Sequence, residues 1–224
     1  MRNILYNYPQ PSEPRYLEEN FRNFKDRITA SYRDKRFYHG SKSTGYGGYK
    51  YDGRWQQVAE NCIELYKLEN SSKILQINCD FGFLLSDLKN INPKFQIQGT
   101  ESSQYAIENL RDNIKNDVIH VKPQDIKFKE NTFDLTIVLG VVYTLNLPDA
   151  INLLKTISFV TKKNNSFITL ATYESDEELR LFNSWTLGGN LCLKRNEWKM
   201  IFDEVNYKGD YLFVDSNYLN LKFK

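Results

Sequence analysis

The stretch that decides the fold is residues 73–88, KILQINCDFGFLLSDL. An apolar run leads into a short polar turn, and an apolar run with helical spacing follows, which predicts a strand, a tight loop and a helix. Glu101 stands nineteen residues after Gly82, where the next strand is predicted to end. In open parallel sheets ligands bind at the carboxyl ends of strands, and an acidic residue placed there can accept hydrogen bonds from a ribose diol. The stretch therefore predicts a ligand crevice at the end of the first strand of the sheet.

Outward from this stretch, extended and helical patterns alternate. The predicted strands after it are 95–100, 118–121, 133–138 and 166–173, and the predicted helices are 56–66, 103–115 and 148–160. Such alternation produces right-handed βαβ units and a parallel sheet that is covered on both faces. The sequence therefore predicts an α/β domain.

The two ends of the chain have different patterns. Helices are predicted at 176–183 and 196–205, the second with Asn196 as its N-cap. The extended stretches 210–214 and 218–223 flank an Asp-Ser-Asn turn and predict an antiparallel hairpin. Residues 1–55 are rich in Pro, Tyr, Gly and charge, so we expect an N-terminal arm or lid in front of a domain formed by residues 56–224.

The composition favours a globular protein with a small-molecule partner. The chain has 224 residues, of which 41% are hydrophobic and 26% charged, and its net charge of +2 is too small for a protein that neutralises many nucleic-acid phosphates. The basic segment 15–36 is interpreted as a solvated amphipathic segment, with nucleic-acid contact as the lesser alternative. The three cysteines are scattered and the two histidines lack partners at metal spacing, so we expect no metal site and a reducing cytoplasmic location. No leader and no apolar run of about 20 residues is seen, so no membrane association is expected.

The loop and its surroundings resemble class I S-adenosylmethionine-dependent methyltransferases, whose first loop usually reads acidic-x-Gly-x-Gly-x-Gly. The resemblance rests on the strand and loop that end at Gly82, on residues 99–103 (GTESS), on residues 131–138 (NTFDLTIV) and on the order of elements. It implies a Rossmann-like three-layer α/β/α sandwich with a mostly parallel seven-stranded sheet, and S-adenosylmethionine as cofactor. Residues 45–55, GYGGYKYDGRW, further resemble a group often found with bacterial surface-polysaccharide genes.

By this resemblance, side chains around the first loop and the neighbouring strand ends are expected to hold the cofactor: Tyr46, Arg54, Asn78, Asp80, Gly82, Glu101, Ser102, Asp125, Ile126 and Leu139. Glu101 is expected to hold the ribose hydroxyls, and Asp125 with Ile126 to flank the adenine. Methyl transfer depends mainly on alignment, so a base is needed only where the acceptor must lose a proton. The candidates for that base are Asp52 and then Tyr143, followed by Tyr51 and Glu174.

The loop departs from the family pattern at three positions, because Gln76, Asn78 and Asp80 stand where the family has an acid and two glycines. Asn tolerates the left-handed conformations that such a loop needs. A carboxylate about 4 Å from the cofactor's own carboxylate costs on the order of 4 kcal/mol at an effective dielectric constant near 20. Two interpretations of Asp80 stay open: an acid relocated from position 76 to hold the cofactor ammonium, or a cap of the following helix.

Three functions are weighed. The first is a methyltransferase for a small-molecule acceptor, such as a sugar or a phosphorylated surface-glycan precursor. The second is a catalytically degenerate relative that binds a partner, for example as the inactive subunit beside an active methyltransferase. A homodimer, or a heteromer with an active methyltransferase, is expected. A nicotinamide-dependent dehydrogenase is disfavoured, because residues 78–82 (NCDFG) do not supply a Gly-x-Gly-x-x-Gly loop.

Overall fold

The computed structural model describes residues 1–224, which form eight α-helices, four short 3-10 helices and eight strands. The strands are β1 (Arg15–Leu17), β2 (Lys73–Ile77), β3 (Gln96–Glu101), β4 (Val118–His120), β5 (Leu135–Val138), β6 (Ser166–Ala171), β7 (Asp210–Val214) and β8 (Leu221–Phe223). The helices are α1 (Phe24–Ser31), α2 (Lys35–His39), α3 (Trp55–Tyr66), α4 (Phe83–Ile91), α5 (Gln104–Glu108), α6 (Leu147–Val160), α7 (Asp176–Trp185) and α8 (Arg195–Glu204).

The main sheet has six strands in the order β4-β3-β2-β5-β6-β7, and every neighbouring pair is parallel. One face packs against α6 and α8 through a core that includes Leu153 and Trp198. The other face packs against α3 and α4 through a core that includes Val58 and Leu85. The predicted α/β architecture, with helices on both faces of a mostly parallel sheet, is confirmed. Because the chain runs outward from β2 to β4 and then returns to β5, the strand order reverses beside β2, where this architecture opens a crevice.

Two details of the sheet differ from the prediction, which had seven strands and a C-terminal antiparallel hairpin. β7 joins the main sheet as a parallel edge strand, and β8 pairs in parallel with β1 in a separate two-stranded sheet. Leu221 of β8 packs with Leu17 of β1 and with Leu181 of α7. The hairpin prediction was wrong because a turn signal shows only that the chain reverses. Which strand it then meets depends on apolar side chains that are distant in sequence.

Two helix predictions also change. The last helix begins at Arg195, and the carboxylate of Glu197 accepts a hydrogen bond from the backbone N–H of Lys194 (2.7 Å), so Asn196 lies inside the helix and is not its N-cap. The predicted helix 103–115 is divided into α5 and a 3-10 helix, Asp112–Asp117. The N–H of Arg111, between them, donates to the carbonyl of Phe81 in the turn after β2 (3.2 Å). That contact between distant segments replaces helical hydrogen bonding.

Residues before α3 lie against the α/β unit. Ile4 is wholly buried in the core beside α3 and α4, and its carbonyl accepts a hydrogen bond from Asn61 (2.8 Å). Arg2 forms an ion pair with Asp210 of β7 (2.7 Å). Tyr38 of α2 is wholly buried at the carboxyl end of the sheet, against Phe81 and Phe83. No helix is both long and apolar enough to cross a bilayer.

Candidate functional site

The turn after β2 keeps a glycine-type backbone although two of the expected glycines are absent. Asn78, Asp80 and Gly82 have φ angles of 56°, 52° and 70°, so all three adopt the left-handed conformation. Asn and Asp tolerate this conformation better than other side chains do. The alternating pattern of left-handed residues therefore survives the substitutions, and what the substitutions change is the chemistry of the turn.

Gly82 has a packing reason to remain glycine. A Cβ atom on it would overlap the terminal methyl group of Ile114, in the 3-10 helix beside α4. We expect Gly82→Ala to lower the free energy of unfolding by about 2 kcal/mol, since overpacking and a left-handed alanine both cost energy. Urea unfolding would measure this change. Gly188→Ala is the control, because a Cβ there meets no atom closer than 4.0 Å; equal losses in the two variants would contradict the packing argument.

Glu101, at the end of β3, is wholly buried and holds the turn with its carboxylate. One carboxylate oxygen accepts the N–H of Asp80 (2.7 Å), and the other accepts the N–H groups of Ser102 (2.8 Å) and Ser103 (2.7 Å). Burial raises the pKa of Glu101 above its ordinary value, and the nearby charge of Asp80 adds to the rise, while the charge of Arg33 opposes it. Both carboxylate oxygens of Glu101 thus hydrogen-bond to the backbone of the chain itself.

Three side chains of the segment before α3 converge on Asp80, and we call this group the Asp80 latch: Asp80, Arg33, Tyr38 and Tyr46. The guanidinium of Arg33 is ion-paired with Asp80 and lies 3.7 Å from Glu101. The hydroxyls of Tyr38 (2.8 Å) and Tyr46 (3.3 Å) donate to the same carboxylate. The cap of α4 is Gly82 and involves no side chain, so the interpretation of Asp80 as a helix cap was wrong.

Aromatic rings pack around the latch. Tyr38 stacks on Phe81 with ring centroids 4.8 Å apart, Tyr49 stacks on Phe83 at 4.9 Å, and Tyr46 stacks on Tyr49 at 4.3 Å. These rings are packed largely on one another. Together with Arg33 they cover the end of β3, which explains why Glu101 has no exposed surface.

A cavity of about 710 Å³ lies beside the latch, at the carboxyl ends of β2 and β5. Its floor is formed by Asn78 and Asp80 of the first turn and by Leu139 and Gly140 after β5. The walls come from the segment before α3, from Tyr143, and from residues 185–190, which begin at the last residue of α7. The volume is within the usual range for small-molecule sites, about 300–1,000 Å³.

The cavity brings together five of the residues that the sequence put forward: Tyr46, Asn78, Asp80, Leu139 and Tyr143. Glu101 and Gly82 are buried and do not line the cavity. Ser102 donates its hydroxyl to the side chain of Asn78 (2.8 Å), at the border of the turn.

The other proposed residues lie elsewhere. Asp125 is exposed in a short 3-10 helix, and Ile126 belongs to the core beneath α6. Asp52 and Arg54 are paired with each other at the surface (2.8 Å), and the hydroxyl of Tyr51 donates to Asp87 (2.7 Å). None of these five residues lines the cavity.

Glu174 does not line the cavity either, and its carboxylate lies 3.6 Å from the guanidinium of Arg195. Of the candidate bases, Tyr143 alone lines the cavity. Burial raises its pKa, so its hydroxyl is protonated at neutral pH and suits hydrogen bonding better than proton abstraction.

Sequence reasoning missed Arg22, Arg27 and Arg33, which all line the cavity. The signal was the interleaving of arginines with Phe21, Phe24 and Tyr32 in segment 15–36, which we interpreted as a solvated face. Two of these aromatic side chains are indeed largely exposed, Phe24 at 78% and Tyr32 at 64%, whereas Arg22 is only 8% exposed. The interpretation as a solvated face was wrong for the arginines, because the aromatic side chains lie at the surface while Arg22, Arg27 and Arg33 face the cavity.

Comparison with known proteins agrees with this architecture. Residues 75–169, from β2 to β6, match the family model described as "Methyltransferase domain". A candidate methyltransferase from Bacillus halodurans has a similar structure, with a TM-score of 0.54 and 11% identity over 66% of this chain and 67% of that chain. No curated protein matches the sequence.

Two further structures are similar. One is the complex of the Haloferax volcanii Trm112 methyltransferase activator with a candidate methyltransferase, with a TM-score of 0.50 and 14% identity over 69% of this chain and 72% of that chain. The other is a candidate S-adenosyl-L-methionine-dependent methyltransferase from Methanococcus maripaludis, with a TM-score of 0.46 and 19% identity; the match covers 52% of this chain and only 55% of that one. The chain thus has the Rossmann-like α/β fold of methyltransferases, and its residues 75–169 match the methyltransferase domain.

Proposed function

We propose that the chain is an S-adenosylmethionine-dependent methyltransferase for a small-molecule acceptor, and that residues 1–55 form a lid over its cofactor site. The observation that carries the proposal is the cavity between Asn78 and Gly140, at the point where the strand order reverses. Ligands of open α/β sheets bind at that point. The methyltransferase-domain match spans both of these residues.

The two ends of the proposed cofactor site fit the cofactor differently. At the methionine end the cavity reaches Asn78 and Asp80, and two residues before Asn78 the buried side-chain oxygen of Gln76 accepts no hydrogen bond. Such an acceptor suits a ligand ammonium group. At the adenosine end Glu101 has the right chemistry but is covered, so this end fits only after Arg33 withdraws. We therefore propose that the latched arrangement is a closed state.

In the open state the chain would act mainly by positioning the cofactor and the acceptor relative to each other. S-adenosylmethionine supplies a methyl group on a sulfonium, and transfer depends on alignment with the acceptor. The protonated hydroxyl of Tyr143 would orient a polar group of the acceptor within the cavity. The resemblance of residues 45–55 to a surface-polysaccharide group suggests a sugar or a phosphorylated glycan precursor as acceptor.

The second candidate is a catalytically degenerate protein that keeps the fold and binds a partner. It is favoured by one specific observation: both oxygens of the buried Glu101 carboxylate accept backbone N–H groups, three in total, beside Arg33. The Haloferax methyltransferase that forms a complex with an activator is a precedent for a heteromer of this fold.

Thermal unfolding with S-adenosylhomocysteine separates the two candidates. A ligand present at a hundred times its dissociation constant adds about 2.7 kcal/mol, which raises the Tm of a chain of this size by about 5–10 °C. We expect a rise with S-adenosylhomocysteine and none with adenosine at the same concentration. If millimolar S-adenosylhomocysteine leaves the Tm unchanged in the wild type and in a variant with the latch removed, the methyltransferase proposal is wrong.

A further inference from the structure

The cavity contains two arginines that no carboxylate neutralises. Arg22 and Arg27 both line it, and neither has a carboxylate oxygen within the 4.0 Å of an ion pair. Arg22 is 8% exposed. Burial lowers the pKa of Arg22, Asp26 opposes this from beyond ion-pair distance, and the like charge of Arg27 lowers the pKa further. Two neighbouring guanidinium groups with no carboxylate at ion-pair distance are unfavourable unless an anion joins them.

The charges of the other lining residues cancel. Asp80 is the only acid that lines the cavity, and it is ion-paired with Arg33. The two positive charges of Arg22 and Arg27 therefore remain without a counter-charge in the lining. A phosphate monoester carries a charge of about −1.5 to −2 at pH 7, which matches them, whereas a carboxylate carries only about −1.

Both arginines keep N–H groups that are free to bind a ligand. Arg22 donates to the carbonyls of Lys42 and Trp185, and Arg27 donates to those of Arg22 and Asn183. Each guanidinium has five N–H donors, and each uses two nitrogens in these bonds. The remaining donors have the planar fork geometry that matches phosphate oxygens.

The walls beside these arginines are aromatic. Arg22 lies over the ring of Trp185, 5.4 Å from its centroid, and Phe182 lines the same wall. The floor at Asn78 and Gly140 belongs to the same cavity. The chemistry of this lining therefore suits a molecule with a phosphate at one end and a flat body.

We propose that Arg22 and Arg27 form a phosphate subsite, through which the cavity binds a phosphomonoester. Phosphate binding stands on the cavity alone. If this ligand is also the acceptor of the methyl group, that role rests on the proposed function.

Calorimetric titration of the full chain with phenyl phosphate, at constant ionic strength in chloride, tests the subsite. We expect phenyl phosphate to bind at least tenfold more tightly than benzoate, which has the same ring but a single charge. Arg27→Gln is expected to weaken phenyl phosphate binding about tenfold or more. Arg180→Gln is the matched control, because Arg180 is exposed on α7 outside the cavity, and its change should stay within twofold.

Arg22 also ties segments together through two carbonyls, so Arg22→Gln is at risk of misfolding and Arg27→Gln carries the test. Equal binding of benzoate and phenyl phosphate, no binding of phenyl phosphate, or unchanged binding in Arg27→Gln would each overturn the subsite. If phenyl phosphate binds as expected while S-adenosylhomocysteine never does, the subsite stands and the methyltransferase proposal fails. If S-adenosylhomocysteine binds and phenyl phosphate does not, the subsite fails alone.

Discussion

Asp80→Gly is expected to open the latch and to tighten S-adenosylhomocysteine binding on the order of 100-fold. The substitution removes the acceptor of Arg33, Tyr38 and Tyr46, while glycine suits the left-handed backbone at this position. Three hydrogen bonds are lost, one of them between charged groups. In the wild type, breaking them costs about 3 kcal/mol before the ligand can bind, and the variant does not pay this cost. Amide hydrogen exchange over residues 33–49 should speed up in the same variant, and calorimetry should measure the change in affinity.

Asp52→Gly is the matched control, because Asp52 also pairs with an arginine before α3 but at an exposed site away from the cavity. Exposed ion pairs contribute about 0–1 kcal/mol. The affinity of Asp52→Gly for S-adenosylhomocysteine and its amide hydrogen exchange should therefore stay near those of the wild type. The relocated-acid interpretation of Asp80 predicts the opposite sign, since losing an ammonium partner weakens binding. If Asp80→Gly binds S-adenosylhomocysteine more weakly than the wild type does, the latch is not the barrier to binding.

Glu101→Gln is expected to lower the free energy of unfolding by about 3 kcal/mol, although the side chain keeps its shape. Both carboxylate oxygens accept backbone N–H groups, so the NH₂ group of glutamine must face a donor whichever way it is turned. The substitution also leaves Arg33 with one carboxylate fewer nearby. Urea unfolding followed by circular dichroism measures this difference.

Glu108→Gln provides the comparison for that experiment, because Glu108 is exposed at the end of α5 and holds only Gln104 (2.9 Å). Its effect should stay within about 0.5 kcal/mol. A loss below about 1 kcal/mol in Glu101→Gln would mean that the carboxylate is not what holds the turn, and that Glu101 is free to serve a ligand. The stability measurement thus bears on function as well as on the fold.

The sequence alone determined the features that follow from local chemistry and period. Residues 73–88 predicted the strand, turn and helix that the structure contains as β2 and α4. Alternation of strand and helix patterns predicted the parallel sheet, because buried parallel strands and amphipathic helices have distinct periods. The turn residues also predicted the left-handed backbone at Asn78, which short polar side chains tolerate.

Only the tertiary structure decided what lies over that turn and which strand β8 meets. Arg33 and Asp80 are 47 positions apart, and no local sequence pattern around either residue predicts that the two form an ion pair. In the same way, an Asp-Ser-Asn turn predicts that the chain reverses but not that Leu221 packs against Leu17. Periodicity reports the environment of a residue within its own helix or strand. Contacts between distant segments depend instead on how all the buried surfaces fit together, so the covered Glu101 and the unpaired arginines of the cavity became visible only once the chain was folded.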